Sequence, residues 1–160
     1  MSRHVARPKE FEPEFINGLK AIFEEKILFN RVLGLQITSL TPERVSGRID
    51  MKRDLVGHFL YNRIHGGVIS AGLDAMAGLA VMAALGARHM DEPISQRLAR
   101  FSRVGTIDIR IDYLRPGISE HFLLEAEVMR IGSRVASTRM EFRGADGTLF
   151  STGTAAYIVS

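Results

Sequence analysis

Apolar residues return at helical spacing from Pro13 onward: Phe15, Ile16, Leu19, Ile22, Phe23, Ile27 and Leu28 predict one amphipathic helix ending near Asn30. That helix is expected to pack onto a sheet, and Leu33 and Leu35 begin the next element. From Gly34 the period shortens to two. Leu35 and Ile37 alternate with polar neighbours. After a Thr41-Pro42 turn, Val45, Gly47, Ile49 and Met51 alternate with Ser46, Arg48 and Asp50, which predicts a hairpin with one buried face. A loop over residues 53–64 leads into the segment 65–88, where every residue from 67 to 87 is apolar or small except Ser70 and Asp74. A helix that is apolar nearly all round is expected to be wrapped by a sheet rather than to lie on a surface.

Residues 88–104 are polar and basic and read as a surface excursion with a short helix over 95–101. Strand periodicity then returns three times. Ile107, Ile109, Ile111 and Tyr113 alternate with Asp108, Arg110 and Asp112; after Pro116-Gly117, Phe122, Leu124, Ala126 and Val128 alternate again; beyond a Gly132-Ser133 turn, Ala136, Thr138, Met140 and Phe142 form another face. Asp146-Gly147 is a hairpin signal before a last strand over 149–159. Helix, two strands, central helix and about four closely spaced strands predict an α+β fold, an antiparallel meander wrapped around a long central helix, with the extra helix at the N-terminus. With no repeat and no linker, residues 10–160 are expected to form a single domain behind a flexible basic tail at 1–9.

The 160 residues are 46% hydrophobic, with a formal charge of only +3, which suits a globular core and argues against global disorder. Only four of the 21 basic residues are Lys, leaving 17 Arg, a bias toward bidentate recognition of phosphate or carboxylate. Nucleic acid fits poorly, because no binding motif is present and Asp91, Glu92 and Asp108 interrupt the bases. Cysteine is absent, so disulfide, thiolate and zinc-finger chemistry are excluded, and without a signal-peptide pattern a cytoplasmic location is expected. Residues 67–87 have the length of a membrane span, but half of them are Gly or Ala. An Asp at mid-bilayer would cost about 2.5–3.5 kcal/mol. A buried core helix is therefore expected rather than a span.

Asp74 stands alone in that helix. A carboxylate there can be tuned into a base or nucleophile, or it can be a structural group paired with an Arg or with backbone amides. His65-Gly66-Gly67 opens the helix, where the first amides lack intrahelical partners and can face an oxyanion. Eight residues separate Gly66 from Asp74, about 12 Å along one helix at ~1.5 Å per residue. A base and an oxyanion donor must both come within ~3 Å of one reacting group. If the two act together, Gly66 therefore comes from one subunit and Asp74 from its symmetry mate, giving two sites per isologous dimer.

His65, Gly66, Gly67 and Asp74, followed by GTIDIRIDYLRPG over 105–117, resemble the hotdog-fold acyl-CoA thioesterases of the PaaI-like type, and within it the YigI-like branch with its N-terminal helix. The resemblance covers about residues 25–159. It implies a sheet continuous across a homodimer, which is required for the site, and pairing of dimers into a homotetramer. It also implies hydrolysis of medium- to long-chain fatty acyl-CoA, with no cofactor beyond the coenzyme A that the substrate carries. By the same resemblance the Gly66 amide polarises the thioester carbonyl and Asp74 activates water or attacks directly. His65 stands near the oxyanion and leaving group, Gly67 lies on the substrate side, and Thr106 holds the attacking water. Relatives often carry an Asn six or seven residues before the His; here His58 or Asn62 takes that place. Arg97, Arg100, Arg103 and Arg115 are candidate partners for the phosphates of coenzyme A. Met76, Leu79 and Met82 are expected in the core, with an acyl tunnel as the alternative. Two other functions remain in view: a hotdog dehydratase using His58, and a non-catalytic acyl-CoA binding or sensing module.

Overall fold

The structure is a computed structural model that describes residues 10–160, so the expected basic tail lies outside the described residues. Helix α1 (Pro13–Lys20) starts with proline at its first position, where a missing N–H costs no hydrogen bond. The single helix expected here is interrupted. After α1 the chain widens into a π-helical turn (Ala21–Lys26), becomes extended at Ile27 and restarts as α2 (Leu28–Leu33), which ends on Gly34 in the left-handed region at φ 71°. Side-chain bonds hold the break: Asn30 Nδ2 donates to the Phe23 carbonyl at 2.9 Å, and Glu24 Oε1 accepts from the Ile37 amide at 2.6 Å. The break keeps Phe15, Leu19 and Phe23 in the core while turning Leu28, Phe29 and Val32 outward.

Strands β1 (Gln36–Leu40), β2 (Val45–Asp50), β5 (Gly105–Tyr113), β6 (His121–Ile131), β7 (Val135–Gly144) and β8 (Leu149–Ile158) form one antiparallel sheet in the order β1-β2-β6-β7-β8-β5. The expected hairpin β1-β2 is present, but the meander comprises only β6-β7-β8. Instead of turning back at Pro116-Gly117 onto its sequence neighbour, β5 pairs with β8 at the far edge, and residues 114–120 carry the chain across to β6 beside β2. Within the loop predicted over 53–64, β3 (Val56–His58) and β4 (Arg63–Ile64) form a small ribbon with Phe59, Leu60 and Tyr61 exposed at its tip.

The concave face of the sheet holds α3 (Gly66–Arg88), as its all-round apolarity predicted. Leu73, Met76, Leu79 and Met82 are fully buried; each buried side chain of this size stabilises the fold by roughly 1.5–3 kcal/mol. Close approach of helix and sheet depends on Gly47 and Gly72. A Cβ on Gly47 would lie 2.8 Å from Met76 Sδ, and one on Gly72 would lie 2.9 Å from a Leu124 methyl. The helix that is long and apolar enough to cross a membrane is thus the core of this fold.

The basic excursion contains α4 (Ile94–Ala99) and a 3-10 turn (Arg100–Arg103), and it corrects one expectation. Arg97 does not face solvent or a phosphate. It is fully buried, donates to both Glu12 carboxylate oxygens at 2.9 Å and lies 4.2 Å from the Phe15 ring centroid, tying α4 to the start of α1. An arginine so engaged cannot serve a ligand without giving up its Glu12 partner and leaving its own charge buried and unpaired.

Candidate active site

Asp74 sits on the third turn of α3 and meets two hydroxyls from the sheet. Thr106 Oγ1 donates to Asp74 Oδ1 at 2.9 Å, and the Tyr157 phenol reaches the same Oδ1 at 2.5 Å and the Asp74 carbonyl at 2.9 Å. Thr106 and Tyr157 are cross-strand partners on β5 and β8. Strict alternation would place Thr106 opposite in sense to Ile109, Ile111 and Tyr113. An extra residue at Ile107 shifts the register between Thr106 and Asp108 and turns Thr106 to the helix side. Burial first, then the hydrogen bond to Asp74, pushes the Tyr157 phenol well above the ordinary tyrosine value, so it remains a protonated donor. Beside this cluster opens a cavity of about 310 Å³, lined by Phe23, Ile27, Phe29, Ala71, Ala75, Gly78 and Phe101, and among the described residues that line it Asp74 alone is charged. Tyr157 was missed from sequence; its one signal was a phenol closing the inward row of small residues Ser151, Gly153 and Ala155 on the last strand.

The other expected residues gather at the N-terminus of α3. His65 is the N-cap, and its Nδ1 accepts from the Gly67 amide at 2.8 Å, which leaves Nε2 as the ring's N–H. Among the described residues the Gly66 amide has no acceptor. Tyr113 caps this end: its phenol donates to the Gly66 carbonyl at 2.9 Å, and a Cβ on Gly66 would stand 3.3 Å from its ring. Gly57 packs directly on His65, where a Cβ would lie 2.7 Å from the histidine Cα. Gly66, Tyr113, Arg63 and Arg115 line a second cavity of about 350 Å³.

Within one chain the two clusters stay apart. They occupy opposite ends of β5, with Thr106 beside Asp74 and Tyr113 beside Gly66. That strand pairs on one side only, with β8, and exposes Ile107, Ile109 and Tyr113. Neither candidate for the missing Asn joins either cluster by a hydrogen bond. His58 lies 4.9 Å from the Tyr61 ring with Nδ1 buried and without a partner, and Asn62, at φ 48°, lines a separate cavity with Met51 and Ile118. Arg100 pairs with Glu92, Arg103 lines a shallow cavity beside it, and Arg115 donates to the Leu149 carbonyl at 3.0 Å. Among the described residues no three His, Asp or Glu stand close enough to hold a metal ion.

Comparison with known proteins bears on the family and the fold. A family model described as the thioesterase superfamily matches residues 61–151. The medium/long-chain acyl-CoA thioesterase YigI of Escherichia coli K12 is 35% identical over 131 residues, 82% of this chain and 84% of that protein. A crystal structure from Shewanella oneidensis, described as related to the thioesterase superfamily, is 35% identical and superposes with a TM-score of 0.86 over 94% of this chain and all of that one. Thioesterase superfamily member 2 of Mus musculus, at 18% identity and a TM-score of 0.72 over 94% of this chain and all of that one, shares the fold. The helix-in-sheet architecture is the hotdog fold.

Proposed function

Because the chain belongs to the thioesterase superfamily, we propose that it hydrolyses acyl-CoA thioesters, with medium- to long-chain fatty acyl groups as substrates. One observation carries the proposal: Asp74 opens onto an apolar cavity at one end of an unpaired edge strand, and the free Gly66 amide stands at its other end. Antiparallel pairing of β5 with its copy, about a two-fold axis near Ile109 and Arg110, carries the Thr106 end of one strand to the Tyr113 end of the other. Asp74 then faces Gly66 of the partner subunit, and the dimer is the smallest competent unit.

In that site the acyl chain occupies the cavity between α3 and α2. The partner's Gly66 donates its amide to the thioester oxygen, helped by the positive end of the partner helix. Water adds to the carbonyl carbon as Asp74 takes its proton, and collapse of the oxyanion expels the coenzyme A thiolate, which recovers a proton. Alternatively Asp74 attacks the carbonyl carbon directly, the coenzyme A thiolate leaves, and water then cleaves the acyl anhydride to release the acid and restore the carboxylate, with the same groups in place. The His65 ring of the partner subunit, tautomer fixed by its cap, points Nε2–H toward the oxyanion and leaving group. Arg115 beside the Gly66 cavity, with Arg100 and Arg103, remains for the coenzyme A phosphates; Arg97 does not.

A thiol-release assay over acyl-CoA substrates from short to long chains tests the reading. Release of free thiol is expected, and Asp74→Asn is expected to lower it by orders of magnitude to a small residual rate. Full activity in that variant refutes the role of Asp74. Tight acyl-CoA binding without turnover would point instead to a sensing module, and loss of a 3-hydroxyacyl substrate without free thiol to a dehydratase.

A further inference from the structure

The residue on β8 that no motif singled out is built around Asp74. Tyr157 is 2% exposed, and its phenol has two acceptors, both belonging to Asp74: the carboxylate Oδ1 and the main-chain carbonyl. Thr106 donates to the same Oδ1 from the neighbouring strand. Among the described residues the other carboxylate oxygen, Oδ2, accepts no hydrogen bond. The carboxylate is therefore held by one oxygen, against rotation about its terminal torsion, and leaves the other to the cavity. A terminal sp²-type torsion is broad when unrestrained, so without these two donors the reacting oxygen would sample many directions.

We propose that Tyr157 is a positioning residue for the thioesterase reaction: together with Thr106 it pins Asp74 Oδ1 and so presents Oδ2 as the atom that takes the water proton or attacks the thioester carbon. This rests on the reading of Asp74 as the reactive acid. It assigns the two hydroxyls different places, since Thr106 stands at the strand edge near the incoming water while Tyr157 lies behind the carboxylate in the core. Tyr157 also forms part of the acyl cavity wall, where its ring stands 3.9 Å from a Cβ placed on Gly78. Removing only its hydroxyl leaves that wall intact.

The test compares Tyr157→Phe, Asp74→Asn and the double variant by steady-state thiol release and thermal melting of the full chain. Tyr157→Phe is expected to lower kcat about tenfold to a hundredfold while KM stays within about twofold, as for loss of orientation at a reacting group. Its Tm should stay within a few degrees of the parent. In the Asp74→Asn background the same change should have no further effect on kcat, because the group it orients is gone. A parent-like kcat in Tyr157→Phe, a rise in KM alone, or a fall in Tm with kcat unchanged overturns the inference. So does a double variant in which the two losses multiply. If Asp74→Asn itself keeps full activity, the reading of Asp74 fails; an inactive Asp74→Asn beside a fully active Tyr157→Phe sinks only the role of Tyr157.

Discussion

Replacing Gly66 by proline removes one N–H and little else, which makes it the sharpest probe of the shared site. Gly66 is the first residue of α3, where proline is favoured, and His65 before it has φ −66° and ψ 135°, the extended conformation that a following proline requires. The amide has no acceptor among the described residues, so the fold loses no internal hydrogen bond, and the added Cβ stands 3.3 Å from the Tyr113 ring. Melting temperature should change by a few degrees at most. Losing a single oxyanion donor costs roughly 2.7–4 kcal/mol of transition-state stabilisation, so kcat should fall by about 10²–10³. The subunit of origin is then tested by mixing. Gly66→Pro and Asp74→Asn chains are each inactive as homodimers, but a heterodimer contains one site with both groups intact and one with neither. Random exchange makes about half the dimers mixed, each with one working site, so activity should return to about a quarter of the parent value. A site completed within one chain would recover nothing. Absence of complementation after verified exchange, or a Gly66→Pro variant within a few-fold of the parent, refutes the shared site.

Filling the cavity should alter chain-length preference rather than chemistry. Ala75→Leu adds three carbons to a half-buried lining position, and kcat/KM for long acyl chains should drop at least about tenfold relative to short ones, measured over an acyl-CoA panel. At the other side of the fold, Arg97→Ala removes a fully buried side chain and its bonds to Glu12, and should lower stability by about 2–4 kcal/mol in denaturant titration. Acid should weaken the same tie. The Glu12 carboxyl is held below its ordinary value of 4.5 by its own backbone amide first and by Arg97 next. Its contribution is therefore complete above that pH and lost as pH falls through the lowered value. Glu92 and Glu127, lowered chiefly by Arg100 and Arg139, act in the same sense, so Tm should fall on acidification below pH 4.5 and Arg97→Ala should flatten only part of that fall.

Periodicity made the central helix, the first hairpin and the β6-β7-β8 meander legible, because each buries one regular face against the same core. Strand order was not legible. Pro116-Gly117 looks the same whether the chain turns back or crosses the sheet, and only long-range pairing of β5 with β8 decides it. The N-terminal helix misled for a related reason: its apolar spacing continues through Ile27, while the side chains that break it, Asn30 and Glu24, act through bonds to Phe23 and Ile37. Arg97 misled because an arginine within a basic stretch looks solvated, and the acid that buries it stands 85 residues earlier.

At the candidate site the limit was parity. Asp74 and Gly66 could be picked out by spacing along one helix, and the same spacing argued that they serve different reactions. Thr106 came only from the family resemblance, because alternation along Ile109, Ile111 and Tyr113 places it on the outer face; the extra residue at Ile107 alone turns it inward. That one residue gives β5 two uses. Beyond the bulge the strand presents an open edge with Ile109 and Tyr113 exposed, suited to a second copy. Before it, the strand delivers a hydroxyl to Asp74. Deleting Ile107 would remove the bulge yet leave Thr106 opposite Tyr157 and facing the carboxylate, whereas inserting one further residue between Thr106 and Ile109 would break that parity and turn Thr106 outward, so the count of residues at the bulge links the surface that would build the dimer to the atom that would do its chemistry.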